Sequence, residues 1–242
     1  MRQLSRNVAY LLCAFSGALL FWAPLTDHLG EGMQILREPH PGLKDDALKA
    51  ALKKDKDKVH NELSYIQARQ LIFAKIDGNG RRAECVYTGK TISYIGQPLP
   101  NNGAIEHAWP LTRLPAAARA DLHHMRVAEG EARLARVNLR YGDVFMPVWS
   151  SGGSRSGPSK RGMPVFEVRQ ERRGDIAREM FYIATMYELD IPDAEEEVLR
   201  RWHKEDPVSA DEQQRHEKIV ASQRSRNPFI DHPGLTARVK NF

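Results

Sequence analysis

The chain reads as one α+β domain, a small β core among several helices, and three observations lead there. Apolar residues recur at helical spacing in separate blocks at 62–76, 175–187 and 209–223. β-forming residues concentrate in short stretches at 84–95 and 105–109. No internal repeat is present, and 242 residues, 41% of them hydrophobic, suffice to bury a core without staples. Charged residues at 28% exclude a polytopic membrane protein. Two cysteines exclude a disulfide scaffold and a four-cysteine zinc site. The net charge of +5 and pI near 9.2 permit an anionic partner without requiring one.

Arg2 and Arg6 precede the uncharged run Val8 to Leu25, so residues 1–25 read as a signal peptide or, uncleaved, a membrane anchor. Residues 26–60, with Pro39, Pro41 and a lysine–aspartate run at 53–58, read as a tether and a solvated helix. The domain then occupies 61–242. Leu63, Ile66, Leu71, Phe73 and Ile76 mark a helix that Asp77-Gly78-Asn79-Gly80 stops. That loop lacks the later acidic ligands of a calcium site. Thr88-Gly89-Lys90 turns a hairpin within 84–95, and Ile105 to Trp109 forms a short strand that Pro110 ends. Residues 115–140 read as helical, with Asp121 as a cap, and 150–162 as a flexible loop carrying Arg155, Lys160 and Arg161. Asp175 caps an amphipathic helix with Ile176, Met180, Ile183, Ala184 and Tyr187 on one face. A helix follows near Ala194 to His203. Ser209 and Glu212 make a capping box for the last one, to about Gln223, and Asn227-Pro228 forbids its continuation.

Three groups of residues carry chemistry. In Glu106-His107, a histidine near neutral pKa can take a proton from water while the carboxylate holds a hard cation. Together they can cut a phosphodiester. Successive strand residues point to opposite faces, so the backbone must break at Trp109-Pro110 for both to serve one site. His123 and His124 diverge by about 100° on a helix, which argues against one shared metal. Arg133, Arg136 and Arg140 line one helical face, suited to a nucleic-acid backbone or to a salt-laced solvent face.

Five collinear blocks resemble the endonuclease I family of secreted and periplasmic bacterial nucleases. They are Ile105 to Pro110, Asp121 to Arg126, Arg136 to Gly142, Gly174 to Tyr182, and a C-terminal block from Asp206-Pro207-Val208-Ser209 to Arg226-Asn227-Pro228-Phe229-Ile230-Asp231-His232-Pro233. The resemblance implies a His-Me finger (ββα-metal) core and sequence-nonspecific cleavage of DNA, often also of RNA, to 5′-phosphate ends. It makes His107 the general base, Glu106 a metal ligand, and His123 and His124 supporting residues. Arg126, Arg136 and Arg178 become the arginines expected on phosphate, with internal pairing as the alternative for Arg136 and Arg178. The implied ion is Mg²⁺, with Mn²⁺ or Ca²⁺ as alternatives. No organic cofactor is called for, and the protein is expected to be a monomer that meets the membrane only if its N-terminal segment stays attached. At the family's usual asparagine ligand stands Arg133, which cannot coordinate a cation. Asn138 is taken as the second ligand, with Glu129 and Glu131 as alternatives. Arg133 could instead replace part of the metal's charge, or mark a catalytically lapsed nucleic-acid-binding protein. An envelope-anchored structural protein is a third, weaker alternative.

Overall fold

The computed structural model describes residues 38–96 and 103–242, and at their centre runs helix α4 (Arg173–Tyr187). The expected export segment, 1–25, and the start of the tether lie outside the described residues. Helix α4 is not the amphipathic element its spacing suggests. Every side chain from Gly174 to Met186 is buried, because other helices cover it on several sides. Asp175 lies in its first turn and does not cap it.

One of the covering helices is α1 (Asp45–Val59). It was expected to be solvated, yet Leu48 and Leu52, one turn apart, are buried. The Lys/Asp run that suggested a solvated helix is only partly in water, since Lys56 packs over the Tyr187 ring at 4.4 Å; acids stand in the helix's first turn and lysines in its last. Helix α2 (Tyr65–Leu71) starts at a full Ser64–Gln67 capping box. It continues through a π turn, Ile72–Ile76, to the predicted stop. Gly78 is required there, since a Cβ would come within 2.1 Å of the Tyr94 hydroxyl and 2.3 Å of the Phe73 carbonyl.

Strands β1 (Arg82–Glu84) and β2 (Thr91–Ser93) form the predicted hairpin. Strand β3 (Ala104–His107) pairs antiparallel with β4 (Met125–Ala128), setting Glu106 opposite Arg126. The helix expected over 115–140 is therefore mostly absent. Two 3-10 turns (Ala116–Ala118 and Leu122–His124) and β4 occupy it, leaving only α3 (Gly130–Arg136). Pairing with a buried strand outweighs local helical propensity. Asp121 does cap, accepting the His123 N–H at 3.0 Å, but on the 3-10 turn.

The second correction concerns 150–162. Strands β5 (Arg140–Tyr141), β6 (Trp149–Ser151), β7 (Ser154–Pro158) and β8 (Pro164–Glu167) form a sheet in the order β5-β8-β7-β6, parallel only between β5 and β8. The glycines that suggested flexibility make the β6–β7 turn. Gly152 (φ +56°) lies so close to Thr88 that a Cβ would come within 2.0 Å of its carbonyl oxygen. Helices α5 (Asp193–Glu205) and α6 (Ala210–Gln223) follow as predicted, with the Glu212 N–H donating to the Ser209 hydroxyl at 3.1 Å. Asn227 ends that run by capping a short helix, α7 (Pro228–Asp231). The whole is α+β. Among the described residues, no helix is long and apolar enough to cross a membrane.

Candidate active site

Strand β3 delivers Glu106 and His107 to one cavity of about 370 Å³, which Tyr65, Thr112, Arg133, Arg136 and Asn138 also line. Strict alternation would separate the two neighbours, but His107 is the last residue of β3. Its ring stacks on Tyr65 at 6.1 Å between centroids and tilts against His124 at 5.0 Å. A carbonyl can only accept, so the contact of 3.0 Å between His107 Nε2 and the Arg119 carbonyl makes Nε2 the protonated nitrogen. The lone pair of the neutral ring is then on Nδ1. Burial, helped by His124, lowers the His107 pKa to about 3, so the neutral form prevails at pH 7.

The Glu106 carboxylate accepts the Tyr87 hydroxyl at 3.4 Å and faces two guanidinium groups. Arg133 Nε is 3.4 Å from Oε2, and Arg136 Nε is 3.8 Å from Oε1. Burial raises this carboxyl above the usual carboxylate range, and Arg136 and Arg133 pull it back. The two arginines are held differently. Buried Arg136 donates to the carbonyls of Val137 and Ala108 at 2.8 Å each, which locks it. The Arg133 side chain is 38% exposed and meets Glu106 by an ion pair, its buried Nε forming no hydrogen bond. Beyond α3, Val137 takes φ +46°, a strained conformation for a β-branched residue, and next to it Asn138 lines the cavity. Asn138 Oδ1 accepts the Thr112 hydroxyl at 3.3 Å.

A hard divalent cation takes oxygen donors and fills its remaining positions with water. The Glu106 carboxylate and Asn138 amide oxygen supply two donors in one cavity, so the donor chemistry fits once Arg133 leaves Oε2. The loose hold on Arg133 permits that departure. A different cluster, His216, Glu217 and Asp231, brings its ligand atoms within 4.8 Å of one another. Arg226 holds both of its carboxylates.

The three arginines expected on phosphate are not available to it. Arg126 donates to Glu179 and, at 3.2 Å, to Asp175. Arg178 forks onto Glu212 and is fully buried, and Arg136 is locked as described. They bind internal carboxylates and carbonyls. Of the two histidines expected to support the site, only His124 touches His107, and each meets a carbonyl. His124 Nε2 meets the Ala118 carbonyl at 2.8 Å and its ring backs His107. His123 Nε2 meets the Ser225 carbonyl at 3.0 Å. Sequence reasoning did not single out Tyr65, Tyr87 or the Arg119 carbonyl. A backbone acceptor leaves no residue-type signal, and both tyrosines are distant in the chain from what they touch.

The sequence model of endonuclease I matches residues 72–234. The chain is 30% identical over 207 residues to an extracellular ribonuclease of Bacillus amyloliquefaciens, covering 72% of this chain and 67% of that protein. It is 32% identical over 151 residues to an extracellular ribonuclease of Bacillus subtilis, covering 53% and 50%. To an extracellular deoxyribonuclease of Aeromonas hydrophila it is 27% identical over 117 residues, covering 46% and 48%. The chain thus spans between about half and two thirds of the length of these relatives.

Proposed function

This chain belongs to the endonuclease I family, and from that premise we propose that it is an exported endonuclease hydrolysing phosphodiester bonds of DNA and RNA without reading sequence. The observation that carries the reading is a neutral His107 beside Glu106 and Asn138 in one open cavity. The succession β3, β4, α3 supports a ββα-metal (His-Me finger) core. Ribonucleases and deoxyribonucleases among the relatives support a substrate class set by the phosphate backbone.

In this reading His107 Nδ1 takes a proton from water while Nε2–H stays on the Arg119 carbonyl, which fixes the ring's aim. The water oxygen bonds to phosphorus as the bond to the 3′ oxygen breaks, and the 3′ alkoxide takes a proton from solvent, leaving a 5′-phosphate and a 3′-hydroxyl. Glu106 and Asn138 would hold the divalent cation, Mg²⁺ first and Mn²⁺ or Ca²⁺ as alternatives. When bound, that ion supplies charge to the phosphate and leaving oxygen. Arg136, unable to leave its carbonyls, steadies the Glu106 carboxylate.

Supercoiled plasmid incubated with the purified protein in Mg²⁺, Mn²⁺ or EDTA tests this. Nicking is expected only with a divalent ion. It is expected to vanish in His107→Ala, whose circular dichroism and DNA binding stay intact. A His107→Ala protein that cuts at the full rate would remove the assignment. The ion pair of Arg133 with Glu106 favours one second reading, a catalytically lapsed nucleic-acid-binding protein. Salt-sensitive binding with intact plasmid under every condition would establish it.

A further inference from the structure

We infer that a second cavity, beside the catalytic one, is a subsite for an unpaired nucleotide of the substrate strand. Its base would lie on Phe145 and its phosphate among Arg140, Lys160 and Arg161. The inference rests on the nuclease reading and deepens it, because only a strand with unpaired bases can use such a site.

The cavity, about 470 Å³, lies between β5, the β7–β8 turn and α5. That volume is in the range of small-molecule sites. Its rim carries Phe145 at 60% exposure and Met163 at 63%. Large apolar side chains so exposed on one rim need a reason, and here the backbone is arranged to present them. The N–H groups of Phe145 and Met146 both donate to the Pro158 carbonyl, at 2.9 and 3.3 Å. The Val144 N–H donates to Glu167 at 2.8 Å, and Gly157 passes so close to Met146 that a Cβ would lie 2.1 Å from its carbonyl oxygen. The Phe145 backbone is therefore fixed while its ring faces water.

Charge defines the occupant. Arg140, Lys160 and Arg161 line the cavity and form no ion pair with the described residues. Lys160 and Arg161 stand at the tip of a tight turn closed by the Ser159 N–H on the Met163 carbonyl and the Gly162 N–H on the Ser159 carbonyl. Of the lining acids, Asp143 is paired with Arg201 at 2.6 Å and Glu195 is buried on the Tyr141 N–H, which leaves Glu197. An aromatic face beside three cations without close ion pairs among the described residues suits a base and its phosphate. Stacking is indifferent to base identity, as the nonspecific reading requires.

Continuity with the catalytic cavity sets the direction. Asn138 lines that cavity and Arg140 lines this one, two residues or about 7 Å further along the chain. A hollow between them shares Leu134 with the catalytic cavity and Pro164 with this one. A strand with its scissile phosphate at His107 can thus reach Phe145 within a few nucleotides.

The test is binding by fluorescence anisotropy in the full chain carrying His107→Ala, with EDTA present so that nothing is cut. The probes are a short oligothymidylate and a blunt duplex of equal length. Adding Phe145→Ala is expected to weaken the oligothymidylate about tenfold and to leave the duplex within twofold. Lys160→Ala and Arg161→Ala, both at an exposed turn, are each expected to lower the salt slope for the single strand by about 0.7. Equal losses on both probes, or none, would overturn the subsite while leaving the nuclease reading in place. If the parent chain bound neither probe, the nuclease reading would fall as well. Sedimentation gives the remaining outcome: a dimer that Phe145→Ala dissociates would make this face an interface between copies and overturn the inference.

Discussion

In the proposed mechanism the chemistry turns on the contact between Arg133 and Glu106. At 3.4 Å the guanidinium partly neutralises the carboxylate that the metal reading needs, and it offers no lone pair in return. Arg133→Asn replaces that competitor with an amide oxygen. The divalent-ion concentration for half-maximal cleavage is expected to fall about tenfold, equivalent to about 1.4 kcal/mol of ion binding. Calorimetric titration of Mg²⁺ without nucleic acid should show the same shift. An unchanged requirement would mean that Arg133 does not stand in the ion's way. Residue types alone could not place this contact, because Arg133 and Glu106 come from different elements. Arg178 makes the same point: the resemblance singled it out, but its partner Glu212, 34 positions away, was not legible. An arginine stripe reads alike whether it faces phosphate or an internal carboxylate.

Helices with strong local signals came through at the element scale, whereas elements made by long-range pairing did not. The Ser209 cap marks its helix start because a cap satisfies N–H groups within a few residues, whereas the Ser64 cap was not read from the sequence. Strand β4 depends on β3, some twenty residues earlier, and its helical spacing misleads. The β6–β7 hairpin is local, turning at Gly152-Gly153, and it hides for a different reason: its Gly- and Ser-rich stretch carries little β propensity. Helix α1 shows how few residues decide docking, since Leu48 and Leu52 are the buried ones of its fifteen. Leu48→Ala is expected to cost about 2–4 kcal/mol in urea unfolding, with no change in m. A solvated α1 would give a change near zero.

Over the whole molecule, buried histidines tie stability to pH. His123, fully buried, has its pKa lowered from 6.5 to about 3, first by burial, with His216 adding to it and Asp121 opposing. The unfolded chain therefore accepts that proton more readily than the folded one. The cost to folding begins as pH falls below about 6.5 and grows until about 3. Raised carboxyls such as Glu212, lifted to about 7 mainly by burial and then by Asp175, act in the opposite sense, so the net curve does not isolate the histidine. A comparison with His123→Gln does. Between pH 6 and 4 the wild-type stability is expected to fall more steeply than the variant's by about 1.4 kcal/mol per pH unit. Parallel slopes in denaturant titrations across that range would refute a neutral buried His123.

The amino-acid order alone determined the α+β class, the helix that Ser209 caps, and the placing of a histidine beside a carboxylate in Glu106-His107. Each of these depends on neighbours within a turn or two, where spacing and residue type act directly. Only the tertiary structure decided that Arg133 covers Glu106, and that Arg126, Arg136 and Arg178 are turned inward. It also decided that a loop rich in Gly and Ser is a sheet presenting Phe145. In these cases a side chain's role is set by what the fold brings opposite it. A guanidinium binds whichever carboxylate, carbonyl or phosphate lies within reach.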